Sequence, residues 1–113
     1  MGVFGETAMA DSKYRTLSEF YPFYLGEHRK TGTRILHFTG TTFFLCTILV
    51  AAIRSEPRLI LAGVIGAYGC AWIGHFFVER NRPATFKYPF FSLVSDFLFY
   101  FEILSGKRSL KGK

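Results

Sequence analysis

Two long apolar runs interrupt an otherwise mixed chain. Ile35 to Ile53, ILHFTGTTFFLCTILVAAI, lies between Arg34 and Arg54, and Leu59 to Val78, LILAGVIGAYGCAWIGHFFV, lies between Arg58 and Glu79; neither contains Asp, Glu, Lys or Arg. A helix of about 20 apolar residues, rising 1.5 Å per residue, crosses the hydrocarbon core of a bilayer, so each run predicts a membrane span, over about 35–53 and 59–78. Buried helices of a soluble bundle share this pattern, but so short a chain has too little polar sequence to wrap two helices that are apolar all round. Only Arg54 to Arg58 joins the runs, and Pro57 favours a tight connection over a continued helix. The expectation is an antiparallel hairpin.

The flanks are amphipathic. Lys13 to Leu25, KYRTLSEFYPFYL, places Tyr14, Leu17, Tyr21, Tyr24 and Leu25 near helical spacing, which predicts a helix lying at the membrane interface, with Pro22 kinking it or starting a new turn. Residues 1–12 are small and polar and read as a flexible tail. After the second run, the basic loop ERNRPATFKYP leads into FFSLVSDFLFYFEIL, residues 90–104, where Asp96 and Glu102 interrupt the apolar pattern. A third crossing would carry the basic tail 107–113 to the wrong side by the charge rule. That segment therefore predicts an interfacial or partly inserted helix. The fold class expected is all-α: an integral membrane helical hairpin with flanking interfacial helices, in one domain over 13–106. Within the second run Gly66, Cys70 and Gly74, and likewise Gly63, Ala67 and Ala71, recur every fourth residue. Such rows let another helix approach closely, either the first span or a second copy in a homodimer.

Charge fixes the orientation. Of 14 Lys and Arg against 8 Asp and Glu, five precede Ile35, two lie in the short connection and seven follow Val78, so the positive-inside rule places both termini in the cytoplasm. The net charge of +6 then serves topology and attraction to anionic lipid; no separate basic module suggests nucleic acid as a partner. The start, MGVFGETAMADSKYR, lacks the apolar stretch of a signal peptide, and Glu6 breaks the myristoylation pattern. Cys46 and Cys70 fall inside the apolar runs and suggest neither a disulfide framework nor a zinc site.

All three histidines belong to one side of the hairpin. His37 stands near the start of the first run and His75 near the end of the second, so each lies roughly 3 to 6 Å inside the same boundary. His28, nine residues before His37, can fold back to that level. Carboxylates accompany them: Glu79 is four residues after His75, on the same face of an α-helix, Glu27 adjoins His28, and Asp96 and Glu102 approach if the last helix packs on the hairpin. Histidine with carboxylate at an open site is a ligand set for non-haem iron. Haem between His37 and His75, and plain amphipathic histidines of a noncatalytic membrane scaffold, fit the same spacing. Arg34, Arg80 and Arg82 lie on that side too, and Arg is the better bidentate partner for a substrate carboxylate.

Two stretches, EFYPFYLGEHRKTGTRILHFTGT (Glu19 to Thr41) and GAYGCAWIGHFFVERNRPATFKYPFFSLVSDF (Gly66 to Phe97), resemble the Mpo1-like family, and the likeness extends over most of residues 17–104. This chain lacks the extra apolar segments that characterised members carry between the two motifs. The resemblance implies an Fe(II)-dependent membrane dioxygenase that uses O2 to α-oxidise a 2-hydroxy fatty acid to the acid one carbon shorter. It also implies that His28, His37 and His75, which match the family's iron-binding histidines, form the catalytic centre. Glu79 joins them as a metal ligand from position alone. No nicotinamide, flavin or 2-oxoglutarate is required by that reaction, in keeping with the lack of a phosphate-binding glycine loop.

Overall fold

The computed structural model describes residues 13–112; the tail expected over residues 1–12 lies outside the described residues, as does Lys113. Among the described residues there are four α-helices, α1 (Leu17–Gly26), α2 (Thr31–Arg54), α3 (Leu59–Ile73) and α4 (Pro89–Leu104). A π-helical segment, Gly74–Glu79, prolongs α3, and a single 3-10 turn, Ala84–Phe86, precedes α4. No strand occurs among the described residues.

The 24 residues of α2 and the 21 of Leu59–Glu79 reach about 36 and 32 Å at 1.5 Å per residue, enough to cross a hydrocarbon core of about 30 Å. Little of either apolar stretch is buried. Leu49, Ile53, Leu61, Ile65 and Phe77 are each more than 60% exposed, the reverse of what a soluble core helix shows. Both helices are thus long and apolar enough to span a membrane, and their outward faces are apolar as well.

Ser55, in the left-handed region at φ 54°, closes α2, and Pro57 follows before α3 begins. Small residues then set the hairpin's register. A Cβ on Gly63 would collide with Thr47 Oγ1, one on Gly40 would lie 3.0 Å from Cys70 Cβ, and one on Gly74 would lie 3.1 Å from Thr33 Cγ2. Position in α3 rises as position in α2 falls, so the helices are antiparallel, and the small-residue rows of α3 serve packing against α2.

The core sits at one end of the hairpin. Phe20, Tyr21 and Tyr24 of α1 bury with Ala84, Tyr88 and Phe99. Thr16 caps α1 by accepting from Glu19 N at 3.2 Å, and Glu19 reaches back to Arg15 N at 2.9 Å, a reciprocal start that resembles a capping box. With its first turn fastened, α1 runs through Pro22 without restarting. α4 packs on α1 and α2. Glu102 fastens α4 to α1 and the chain's end, accepting from Tyr21 Oη at 2.5 Å and Arg108 Nε at 2.6 Å. The basic tail folds back over the start of α2, where Gly112 N donates to Thr31 Oγ1 at 2.8 Å.

Candidate metal centre

Three elements each contribute one imidazole. His28 follows the end of α1, His37 lies in the second turn of α2, and His75 lies in the π-helical segment. The rings are 1%, 8% and 2% exposed, respectively. One ring nitrogen from each forms a group lying mutually within 4.8 Å that could hold a metal ion. His28 Nε2 and His37 Nε2 are 3.0 Å apart.

The outward nitrogens explain this convergence. His28 Nδ1 donates to the Tyr24 carbonyl at 2.8 Å, and its ring stacks on that of Tyr24 at 4.1 Å. His75 Nδ1 donates to Asn81 Oδ1 at 2.7 Å, while Asn81 Nδ2 donates to the Glu27 carbonyl at 3.2 Å. His37 Nδ1 lies 3.6 Å from Asp96 Oδ1, an oxygen that also accepts from Tyr24 Oη at 2.6 Å. In a neutral imidazole whose Nδ1 donates, Nε2 keeps its lone pair. Burial, followed by the neighbouring His37 and His75, holds His28 well below the ordinary histidine range, in the neutral form that binds metals. Among the described residues, the sole hydrogen-bond partner of any Nε2 is another imidazole. Inward lone pairs with outward nitrogens turned to oxygens are the arrangement that metal-ligating histidines take, and imidazole donors suit iron, zinc, copper and nickel. The residues fit a metal.

Asp96 lies beside His37, and burial raises its carboxyl to about 7. The chamber at the three rings measures about 20 Å³ and is also lined by Trp72, Pro83 and Ser92. Ser92 Oγ is buried with no hydrogen-bond partner.

Other residues singled out in the sequence lie elsewhere. The Gly74–Glu79 turn hydrogen-bonds i to i+5, so Glu79 does not stack over His75 as four-residue spacing in an α-helix would have it. Glu79 stands outside the three-histidine group and accepts from Lys30 N at 2.5 Å. In its place comes Asn81: Arg80 takes the left-handed conformation at φ 63° and Asn81 N returns to the His75 carbonyl at 2.8 Å. Glu27 is half-buried outside the group, its carboxyl raised by burial and by the charge of Glu79. Glu102 belongs to the Tyr21–Arg108 network.

None of the three arginines lines the chamber. Arg34 is spent on carbonyls, donating to His28 O at 2.8 Å and Ser109 O at 2.9 Å, and Arg80 and Arg82 flank a separate outer depression beside Phe76 and Phe77. Sequence reasoning missed Tyr24, Asn81 and Ser92. A polar residue just past a helix end, as in ERNRP, was the one available signal, for Asn81.

No curated protein and no solved structure matches the chain. The family model described as 2-hydroxy-palmitic acid dioxygenase Mpo1-like matches residues 14–108, a stretch that includes all three histidines and the residues that orient them, and the chain belongs to this Mpo1-like family.

Proposed function

We propose that the protein is an Fe(II)-dependent membrane dioxygenase that converts a 2-hydroxy fatty acid and O2 into the fatty acid one carbon shorter, CO2 and water. The observation that carries this reading is the meeting of three buried imidazoles, their Nδ1 atoms turned to oxygens, in a chain whose family is named for such a dioxygenase. The substrate supplies all four electrons, so no second reductant enters.

Bound iron(II) would give the substrate's head group and O2 a common place to exchange electrons. His28, His37 and His75 hold that place, and Tyr24, Asp96 and Asn81 keep their rings aimed. The partnerless Ser92 hydroxyl donates to an oxygen of the head group. Trp72 and Pro83 give the chamber apolar walls. Iron is favoured over haem by space, since a chamber of about 20 Å³ has no room for a macrocycle between two of the rings.

The orientation proposed has both termini cytoplasmic, with α1 and α4 at that interface, by the distribution of Lys and Arg. An amphiphilic acid then presents its head at the level of the histidines.

The test is product analysis by mass spectrometry after iron(II)-loaded protein receives a long-chain 2-hydroxy acid with and without O2. An O2-dependent acid one carbon shorter is expected from the native protein and not from His37→Ala or His75→Ala. Full turnover in both variants would refute the site.

A further inference from the structure

A second cavity adjoins the chamber. It measures about 350 Å³, and its walls share His37, Tyr68, Ala71 and Asp96 with the smaller space at the histidines. From there it passes between α2, α3 and α4 to Phe44, Val64 and Phe97. Phe44 is seven residues beyond His37, so this floor lies about 10 Å further along α2. The Phe44 and Phe97 rings meet there at 6.1 Å. His37, Asp96 and Thr41 supply polarity at the histidine end, and the far end is apolar. α4 packs on α1 and α2, and the wall residues Tyr68 and Leu93 are 37% and 47% exposed. The side between α3 and α4 is therefore open toward the apolar surroundings of the hairpin.

We propose that this cavity is the alkyl-chain site of the substrate, entered sideways from the bilayer, and that Phe44, Val64 and Phe97 set the chain length accepted. The proposal rests on the 2-hydroxy fatty acid reading of the histidine site. It commits to a free acid with a single chain: one polar end and one apolar end match an amphiphile whose head meets His37. Lipid tails are as apolar as the helix side chains they touch, so moving a chain from bilayer to cavity gains little. Discrimination between lengths then comes from the floor, where a chain with too many methylenes overpacks. One methylene against a pocket wall is worth about 10- to 200-fold in specificity.

Two variants and a probe test this in lipid nanodiscs, with metal content measured on each sample. Val64→Phe raises the floor and Phe44→Ala lowers it. Across a series of saturated 2-hydroxy acids, the ratio of kcat/KM for short over long chains is expected to rise at least about tenfold in Val64→Phe and to fall in Phe44→Ala. Unchanged ratios in both variants, with metal retained, overturn the proposal. The probe is a 2-hydroxy acid carrying a diazirine at the chain terminus, expected to label residues around Phe44, Val64 and Phe97 and to be displaced by unlabelled acid. Labels spread over outward residues such as Leu49 and Leu61, or displaced equally by phospholipid, overturn it as well. Floor labelling without turnover of any chain length by the native protein would sink the dioxygenase reading and leave the cavity as an acyl site; turnover without floor labelling would do the reverse.

Discussion

Replacing Asn81 by Ala tests whether the histidine rings are held ready for a metal. Asn81 accepts from His75 Nδ1 at 2.7 Å and donates to the Glu27 carbonyl at 3.2 Å, so it ties the third imidazole to the loop that carries the first. Truncation leaves His75 Nδ1–H without its acceptor and frees the ring to turn. Outer partners of this kind are worth about 10- to 100-fold in metal affinity, or about 1.4 to 2.7 kcal/mol. The lost hydrogen bond to Glu27 O costs the fold about 1 kcal/mol on its own account, and a separate unfolding measurement resolves that contribution. The assay is competition between the protein and a chromophoric chelator for iron(II) or cobalt(II). Asn81→Ala should bind about 10- to 100-fold more weakly, and Asn81→Asp, which keeps an acceptor at the same place, should recover most of the loss. Native affinity in Asn81→Ala, beside clear loss in His75→Ala, would refute the orienting role. Native affinity in both would refute the centre.

Three further changes probe the scaffold. In Gly40→Val even the Cβ lies 3.2 Å from Ala67 backbone atoms, which cannot rotate aside. The helices must then separate at a point a single turn away from His37, and the variant should lose about 1 to 3 kcal/mol of stability together with metal binding, read by thermal unfolding and metal content. Tyr24→Phe removes the hydroxyl from Asp96 but keeps the carbonyl that holds His28; it should cost about 1 to 2 kcal/mol with metal content unchanged. Burial pushes the Glu102 carboxyl up, but hydrogen bonds from Tyr21 and Arg108 prevail and hold it below its ordinary 4.5. A depressed folded pKa gives stability that is complete above 4.5 and is lost as pH falls through the lower folded value; Glu102→Gln should flatten that acid limb of an unfolding-against-pH series.

Much of this architecture was legible because it depends on short-range rules. Charge-free runs of helical length announce the hairpin without any tertiary information. A five-residue connection then forces the start of α2 beside the end of α3, so helix rise alone places His37 and His75 at one level. Legibility stopped where a rule assumed regularity or a partner came from far along the chain. Four-residue spacing aligned Glu79 with His75 on an α-helix, and the π turn broke that alignment. Arg34 was read as a carboxylate clamp, yet its guanidinium meets the carbonyl of Ser109, 75 positions away, through docking of a tail that no local pattern foretells. Tyr24 looked like one more interfacial aromatic. Its carbonyl and hydroxyl matter because His28 folds back on the last turn of α1 while α4 brings Asp96 alongside.

The source of the three imidazoles makes metal removal the most general test. His28 comes from the connection after α1, His37 from α2 and His75 from the π-helical segment that prolongs α3, so their nitrogens come within 4.8 Å of one another only when all three elements are docked. A metal that binds this arrangement and not the unfolded chain adds RT ln(1 + [L]/Kd) to stability, about 2.7 kcal/mol at a free concentration one hundred times Kd. Chelating it should lower the unfolding midpoint of the native protein, and adding back iron(II) should restore it. His28→Ala should unfold at the same midpoint with and without metal, because one corner of the triangle is gone. Since α2 and α3 already pack through Gly40 and Gly63, the region that metal secures is the end bearing α1. Hydrogen exchange should therefore show Tyr24 to His28 losing protection on chelation while Phe43 to Thr47 keeps it. Equal protection of both segments with and without metal would mean that the histidines are held by packing alone.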